Sequence, residues 1–182
     1  HSDKPFVANF ANESAMAGFK KLGFRTVFIA GARDPILVSG INNFIEATVI
    51  KVIDGDTITV LAKSEKIKVR LAEIDAPEKD QPYGLIAKNK LQEKILDKNI
   101  TVQKKTVDRY GRLVAKIFLD KRDIIKEMIA EGHVWVYKKY LDDPTLMNIQ
   151  RSANQNQIGI WSLINTKQIP PWEWRQSKRK KN

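Results

Sequence analysis

Apolar and polar residues alternate along this chain with two different periods. From Ile45 the short period comes first. IEATVIKVI is rich in β-branched residues and leads into VIDGDTITV (52–60), where an Asp-Gly pair of the kind that turns hairpins precedes TITVLA. KIKVRLAEI alternates cleanly, with Ile67, Val69 and Leu71 on one face and Lys68 and Arg70 on the other. The period then lengthens. In LIAKNKLQEKIL (85–96), Ala87, Leu91 and Ile95 recur four apart, which predicts a helix. NITVQKKTV and RLVAKIFL predict two further strands joined by DRYG. RDIIKEMIAEG predicts a helix with an apolar stripe of Ile124, Ile125, Met128 and Ile129, ended by Gly132. A third helix is expected from Asp143 as cap and Pro144 at the first helical position, running to Gly159. The paired prolines of PPWEWR (170–175) are expected to leave helix geometry. Short strands interleaved with helices in this way predict an α+β protein: a five-stranded OB-type β-barrel with about three helices.

Residues 1–44 read differently. ANESAMAGFKKLGF predicts a short helix, capped by Asn12 or Ser14 and stopped at Gly23. RTVFIAGA reads as a strand and RDPILVSGINN as a loop around Pro35 and Gly40. No chemical motif lies here, so the expectation is a helix/strand appendage that packs or forms a dimer contact. The chain thus divides into an N-terminal appendage (1–44), a barrel domain (45–175) and a basic tail (176–182).

Composition narrows the chemistry. An apolar share of 42% over 182 residues suffices for a real core, and the absence of cysteine excludes disulfides and thiolate metal cages. No apolar run approaches the roughly 18–20 residues of a membrane span. Lys+Arg number 32 against 21 Asp+Glu, a formal net charge of +11. Such a field attracts polyanions, nucleic acid or an anionic surface, without choosing between them. Arg175, Lys178, Arg179, Lys180 and Lys181 form a terminal run with no acid among them, either an anion-binding arm or a solvated tail.

Against that positive background, Asp54 and Asp56 flank one glycine, and EIDAPE (73–78) follows about twenty residues later. Asp56, Asp75 and a main-chain carbonyl would offer oxygen ligands suited to Ca²⁺ or Mg²⁺. Zinc is disfavoured, since only His1 and His133 supply imidazole. Ordinary turns at both places are the competing explanation. Arg70, five residues before Asp75, and Arg112, after DRYG, are two planar forks suited to a bidentate grip on phosphate oxygens. Each alone is ordinary surface charge; their combination with the acids is the signal.

VIDGDTITV, VRLAEIDAPE, YGLIAKNKL, DRYGR, GHVWVYKKY and GIWS occur in order and at suitable spacing, and together they resemble the staphylococcal nuclease (thermonuclease) family from about Ile45 to Arg175. PPWEWR also resembles an ending common among bacterial members. The resemblance implies calcium ligands at Asp56 and Asp75, with the backbone carbonyl of Ala76 as a third, and Asp54 near the metal without binding it directly. It implies a general base at Glu78 and phosphate-gripping arginines at Arg70 and Arg112. Tyr110 and Tyr140 match positions lining the nucleotide site, and Lys138 stands where the family has a nucleotide-contacting tyrosine. The lysine-rich loop before the first helix is reduced to KDQP. The implied activity is calcium-dependent hydrolysis of DNA and RNA phosphodiesters with little sequence preference, leaving 3′-phosphate ends. Mg²⁺ and Mn²⁺ stay open as alternatives to Ca²⁺.

Tyr110, Trp135, Tyr137 and Tyr140 are of the type that stacks single-stranded bases, although packing is the commoner use of such residues and the expected one for Trp135. Trp161 is expected to be structural and His133 a satisfied histidine. The main rival is a non-catalytic OB-type nucleic-acid-binding module; retention of every acidic position and both arginines favours the enzyme. A start at His1 is expected where a leader has been removed, which together with family habit points to a secreted or extracytoplasmic protein, with a cytoplasmic one as the alternative. A monomer is favoured.

Overall fold

The computed structural model describes residues 43–179 and, before them, three short strands at 8–9, 24–27 and 36–39. The chain divides into two compact units, His1–Ile45 and Glu46–Asn182. In the first, β1 (Ala8–Asn9), β2 (Phe24–Val27) and β3 (Ile36–Ser39) form an antiparallel sheet in the order β1-β3-β2. β2 lies at the start of the expected strand. β3 corrects the loop expected over 33–43: Pro35 and Gly40 bound the run ILVS, whose Ile and Val favour a strand, instead of filling a loop. The helix expected over 11–24 lies outside the described residues.

The second unit is built on a barrel. β4 (Phe44–Val52), β5 (Thr57–Ala62) and β6 (Glu65–Leu71) form an antiparallel meander. β7 (Ile74–Asp75) is a two-residue strand that pairs with Trp135–Val136 in a separate sheet. β8 (Asn99–Val107) and β9 (Leu113–Leu119) form a second hairpin, and β9 runs parallel to β6. β8 pairs with both β4 and β9, so five strands close on themselves; β10 (Arg122–Asp123) only extends β9. Register shifts at Val49/Lys51 and Lys104/Thr106 are bulges that bend long strands around the closed barrel. Alternation puts Val49, Ile58, Val60, Val69 and Ile117 inside, all fully buried.

Four helices decorate the barrel among the described residues: α1 (Gly84–Ile95), α2 (Ile124–Ala130), α3 (Thr145–Gln155) and α4 (Pro171–Arg179). α1 buries Ala87, Leu91 and Ile95, the residues its period singled out. α2 buries its whole predicted stripe, and the Asp123 side chain caps it by accepting from the Lys126 N–H. α3 starts one residue later than expected and stops at Gln155, because Gln157 and Gly159 take positive φ and turn the chain. Asp143 still serves its first turn, accepting from the Thr145 N–H and hydroxyl. α4 overturns the expectation for PPWEWR. Pro171 begins a helix there, since a ring-locked φ and a missing N–H cost nothing at a first helical position. No helix among the described residues is long and apolar enough to cross a membrane.

Candidate active site

The parallel pairing of β6 with β9 builds the site. Its register sets Arg70 opposite Val114, so the end of β6 lies beside the turn that carries Arg112. On the other side, Leu71 N–H donates to the Asp56 carbonyl at 2.8 Å and ties the 53–57 turn to the same strand end. Gly55 is required in that turn for close approach. A Cβ there would stand 2.7 Å from the Ala76 Cβ and 3.0 Å from that of Ala87, so any side chain would push the acidic turn off the Ala76 loop and α1.

Three acidic side chains thereby meet. Asp54 Oδ1 accepts from the Asp56 N–H at 3.0 Å, ordering the turn. Asp56 Oδ2 accepts from the Ala76 N–H at 2.6 Å and lies 3.1 Å from Arg70 Nη2. Asp75 Oδ1 lies 3.2 Å from the same nitrogen. Two carboxylates nineteen residues apart in the chain therefore face one nitrogen. Arg70 Nη1 donates to the Leu71 carbonyl at 2.6 Å, and Nη2 itself also donates to the Ile74 carbonyl at 2.8 Å.

Negative charge here exceeds its compensation. Burial, reinforced by Asp56, pushes the Asp54 carboxyl up to about 6. Burial also raises Asp75, although Arg175 and Arg70 pull the other way. The donor chemistry fits a hard divalent ion: Asp56, Asp75 and the Ala76 carbonyl are all oxygen ligands. Among the described residues no three His, Cys, Asp or Glu side chains are grouped so as to hold a metal ion by themselves.

Glu78 and Arg112 stand in the walls of the same cleft, which has a volume of about 1000 Å³. The Glu78 backbone is fixed by Gln81, which takes the Glu78 N–H on its side-chain oxygen at 3.1 Å and donates its own N–H to the Glu78 carbonyl at 2.9 Å. Gly84 lets α1 start against that carbonyl, since a Cβ would collide with it. Arg112 Nε donates to Asp108 Oδ2 at 2.7 Å. Burial pushes Asp108 up, but hydrogen bonds from the Arg112 backbone and side chain outweigh it and hold the carboxyl below its usual range.

The aromatic positions separate into rim and support. Tyr110 and Tyr140 are 69% and 62% exposed at the cleft, and the Arg109 guanidinium lies 4.7 Å from the Tyr110 ring centre. Lys139 lines the cleft, whereas Lys138 does not. Trp135 packs edge-on against Trp161 and Trp172, at 4.3 and 6.0 Å between centroids, in keeping with packing and not stacking on bases. His133 is buried and takes part in a 3.1 Å hydrogen bond with the Tyr83 hydroxyl.

The sequence profile described as "Staphylococcal nuclease homologue" matches residues 68–163, more than half of the chain. This chain belongs to the staphylococcal nuclease family. An "Uncharacterized endonuclease" of Haemophilus influenzae is 42% identical over 132 residues, covering 72% of this chain and 73% of the relative. An "Uncharacterized endonuclease" of Escherichia coli O157:H7 is 37% identical over 135 residues (74% and 87%), and the "Micrococcal nuclease" of Shigella flexneri 33% over 142 (72% and 80%). Within this family member, Arg70, Asp75, Glu78 and Arg112 lie inside the matched segment, and Asp56 lies just before it.

Three residues of the site carried no signal in the sequence. Arg175, assigned to the end of the domain, reaches back about a hundred positions to Asp75 and Glu78. Glu73 is buried and has a positive φ of 64°; its Oε1 accepts from the Asp142 and Asp143 N–H groups at 2.8 and 2.7 Å, and its Oε2 is 2.7 Å from Lys116 Nζ. Gln81 donates to the Ile169 carbonyl at 2.5 Å, linking the Glu78 loop to the approach of α4. Only the tertiary fold creates these contacts.

Proposed function

We propose that this chain is a divalent-cation-dependent phosphodiesterase, using Ca²⁺ first among such ions, that hydrolyses DNA and RNA with little sequence preference and leaves 3′-phosphate ends. The observation that carries this reading is the convergence of Asp56 and Asp75 on one nitrogen of Arg70, in a cleft shared with Glu78 and Arg112. The names of the relatives, two endonucleases and a nuclease, favour hydrolysis over a binding module without chemistry.

Asp56, Asp75 and the Ala76 carbonyl would hold the cation. When bound it supplies Lewis-acid polarisation of a phosphoryl oxygen. Glu78 orients the attacking water and accepts its proton. With Nε committed to Asp108, the two Nη nitrogens of Arg112 grip the phosphate and match the charge that grows in the transition state. Arg70 serves the same charge from the neighbouring strand. Tyr110 and Tyr140 offer ring faces to flanking bases, and Lys105, Arg109 and Lys139 supply the cleft with positive charge for the backbone.

Digestion of single-stranded DNA, duplex DNA and RNA with Ca²⁺ and with chelator tests the reading, alongside Glu78→Gln. Cleavage should vanish with chelator and fall by at least two decades in the variant. Cleavage that is indifferent to chelator rules out the cation, and full activity of Glu78→Gln removes Glu78 from the mechanism. In Arg112→Ala, kcat should fall about two to three decades with little change in DNA binding.

A further inference from the structure

α4 brings a third arginine into the site. Arg175 Nη2 donates to Asp75 Oδ2 at 2.7 Å, and its Nη1 donates to Asp75 Oδ1 at 3.2 Å and to Glu78 Oε1 at 2.6 Å. This is a planar fork laid across one carboxylate and shared with a second, the geometry with which arginine also grips phosphate. Burial works against the Arg175 charge, but the two carboxylates more than offset it and hold the guanidinium protonated. Arg175 thus occupies both oxygens of a residue needed for the cation and one oxygen of the residue needed for water. The helix itself is anchored elsewhere. Trp172 stacks on Tyr137 at 5.5 Å, Trp174 Nε1 donates to Asp80 at 3.3 Å, and Lys178 pairs with the same Asp80. The side chain can therefore swing while α4 stays in place, and Arg179, one turn on, also lines the cleft.

We propose that Arg175 is a third nucleic-acid-binding arginine of this site, stored on Asp75 and Glu78 until a divalent cation takes its place. The inference rests on the cation reading above. Asp75 already serves two guanidinium groups, Arg70 on Oδ1 and Arg175 on both oxygens, so an ion that takes this carboxylate must displace one of them. Arg70 is also held by the Leu71 and Ile74 carbonyls, whereas the Arg175 fork is held by Asp75 and Glu78 and is the one to leave. Entry of the ion releases the fork. The freed fork is still tethered at the cleft wall, so the nearest polyanion, the substrate strand, becomes its partner. The device couples the two ligands: the ion arms the arginine for nucleic acid, and a bound strand holds the arginine away from the ion's ligand.

Two binding measurements on the whole chain test it, using wild type, Arg175→Ala, Arg179→Ala and Asp75→Asn. The first is calorimetric Ca²⁺ titration without nucleic acid. Arg175→Ala should bind Ca²⁺ about tenfold tighter than wild type, the scale of one charge-assisted hydrogen bond on a side chain 37% exposed. Asp75→Asn should not bind, and Arg179→Ala should stay near wild type. The second is anisotropy of a labelled oligonucleotide whose bridging 5′ oxygens are replaced by CH₂, which keeps every charge and resists cleavage. Arg175→Ala should weaken its binding several-fold in Ca²⁺ and leave it unchanged in chelator, whereas Arg179→Ala should weaken it in both. No Ca²⁺ binding by either wild type or Arg175→Ala overturns the cation site and this inference with it. Measurable Ca²⁺ binding that is equal or weaker in Arg175→Ala overturns the inference alone. So does equal tightening in Arg179→Ala, which would reflect the general field, or an oligonucleotide effect of Arg175→Ala that is the same with and without Ca²⁺.

Discussion

Replacement of Glu73 by Gln isolates the electrostatics of a single buried clamp. The Glu73 side chain is 1% exposed and that of Lys116 is 13% exposed, so the carboxylate has no water to fall back on and the ammonium has little. One carboxylate oxygen serves Lys116 and the other serves the two N–H groups at Asp142 and Asp143, while the Glu73 carbonyl takes the Tyr137 N–H at 2.8 Å. Glutamine keeps an acceptor for the backbone donors but strands the lysine. Breaking a buried pair from one side costs about 3–5 kcal/mol, and the residual exposure of Lys116 points to the lower end, about 3 kcal/mol. For a domain of this size that lowers Tm by about 10 °C. The double variant Glu73→Gln/Lys116→Met should recover most of the loss, since it removes both charges together. A functional consequence follows from the same contacts, because the clamp holds the segment that presents Lys139 and Tyr140 to the cleft. Glu73→Gln should raise KM for DNA several-fold with kcat nearly unchanged. Thermal and urea unfolding with steady-state cleavage read both effects. A Glu73→Gln protein within 1 kcal/mol of wild type would refute this account of the pair, and a loss confined to kcat would refute the role given to the segment.

Two further expectations come from packing and burial. Gly84→Ala drives a methyl into the Glu78 carbonyl; it should cost about 1–3 kcal/mol of stability and, by displacing Glu78, up to two decades of kcat, measured by unfolding and cleavage together, with wild-type values of both excluding the tight contact. Burial lowers the pKa of His133, so the unfolded chain takes up a proton first on acidification. Its contribution is complete above the unfolded value of about 6.5 and is lost as pH falls toward the folded one, by at most about 1.4 kcal/mol per unit. Denaturant titrations from pH 7.5 to 5 should show a shallower decline in His133→Gln than in wild type; parallel declines would exclude this histidine as the source.

Local patterning was enough for the elements and for much of the site. Period-two alternation marked the inner face of β6, and helical recurrence marked the buried faces of α1 and α2, because each pattern reports which side of a single element leaves water. DGDT, EIDAPE and DRYGR marked Asp56, Asp75, Glu78 and Arg112, since acids and arginines at turns stand out against apolar strands. Where punctuation carries two meanings, the sequence misled: Pro35 and Gly40 bound a strand, and Pro171 opens a helix. What the sequence alone determined is therefore most of the strands and helices, their buried faces and the acidic and basic residues of the proposed site. Barrel closure decided the rest. The parallel β6–β9 register brings the turns of Asp56, Asp75 and Arg112 to one end, and the fold carries Glu73 to Lys116 and Arg175 to Asp75. Contacts across such distances leave no periodic trace in the chain, because they depend on where whole elements come to rest and not on the neighbours of any one residue.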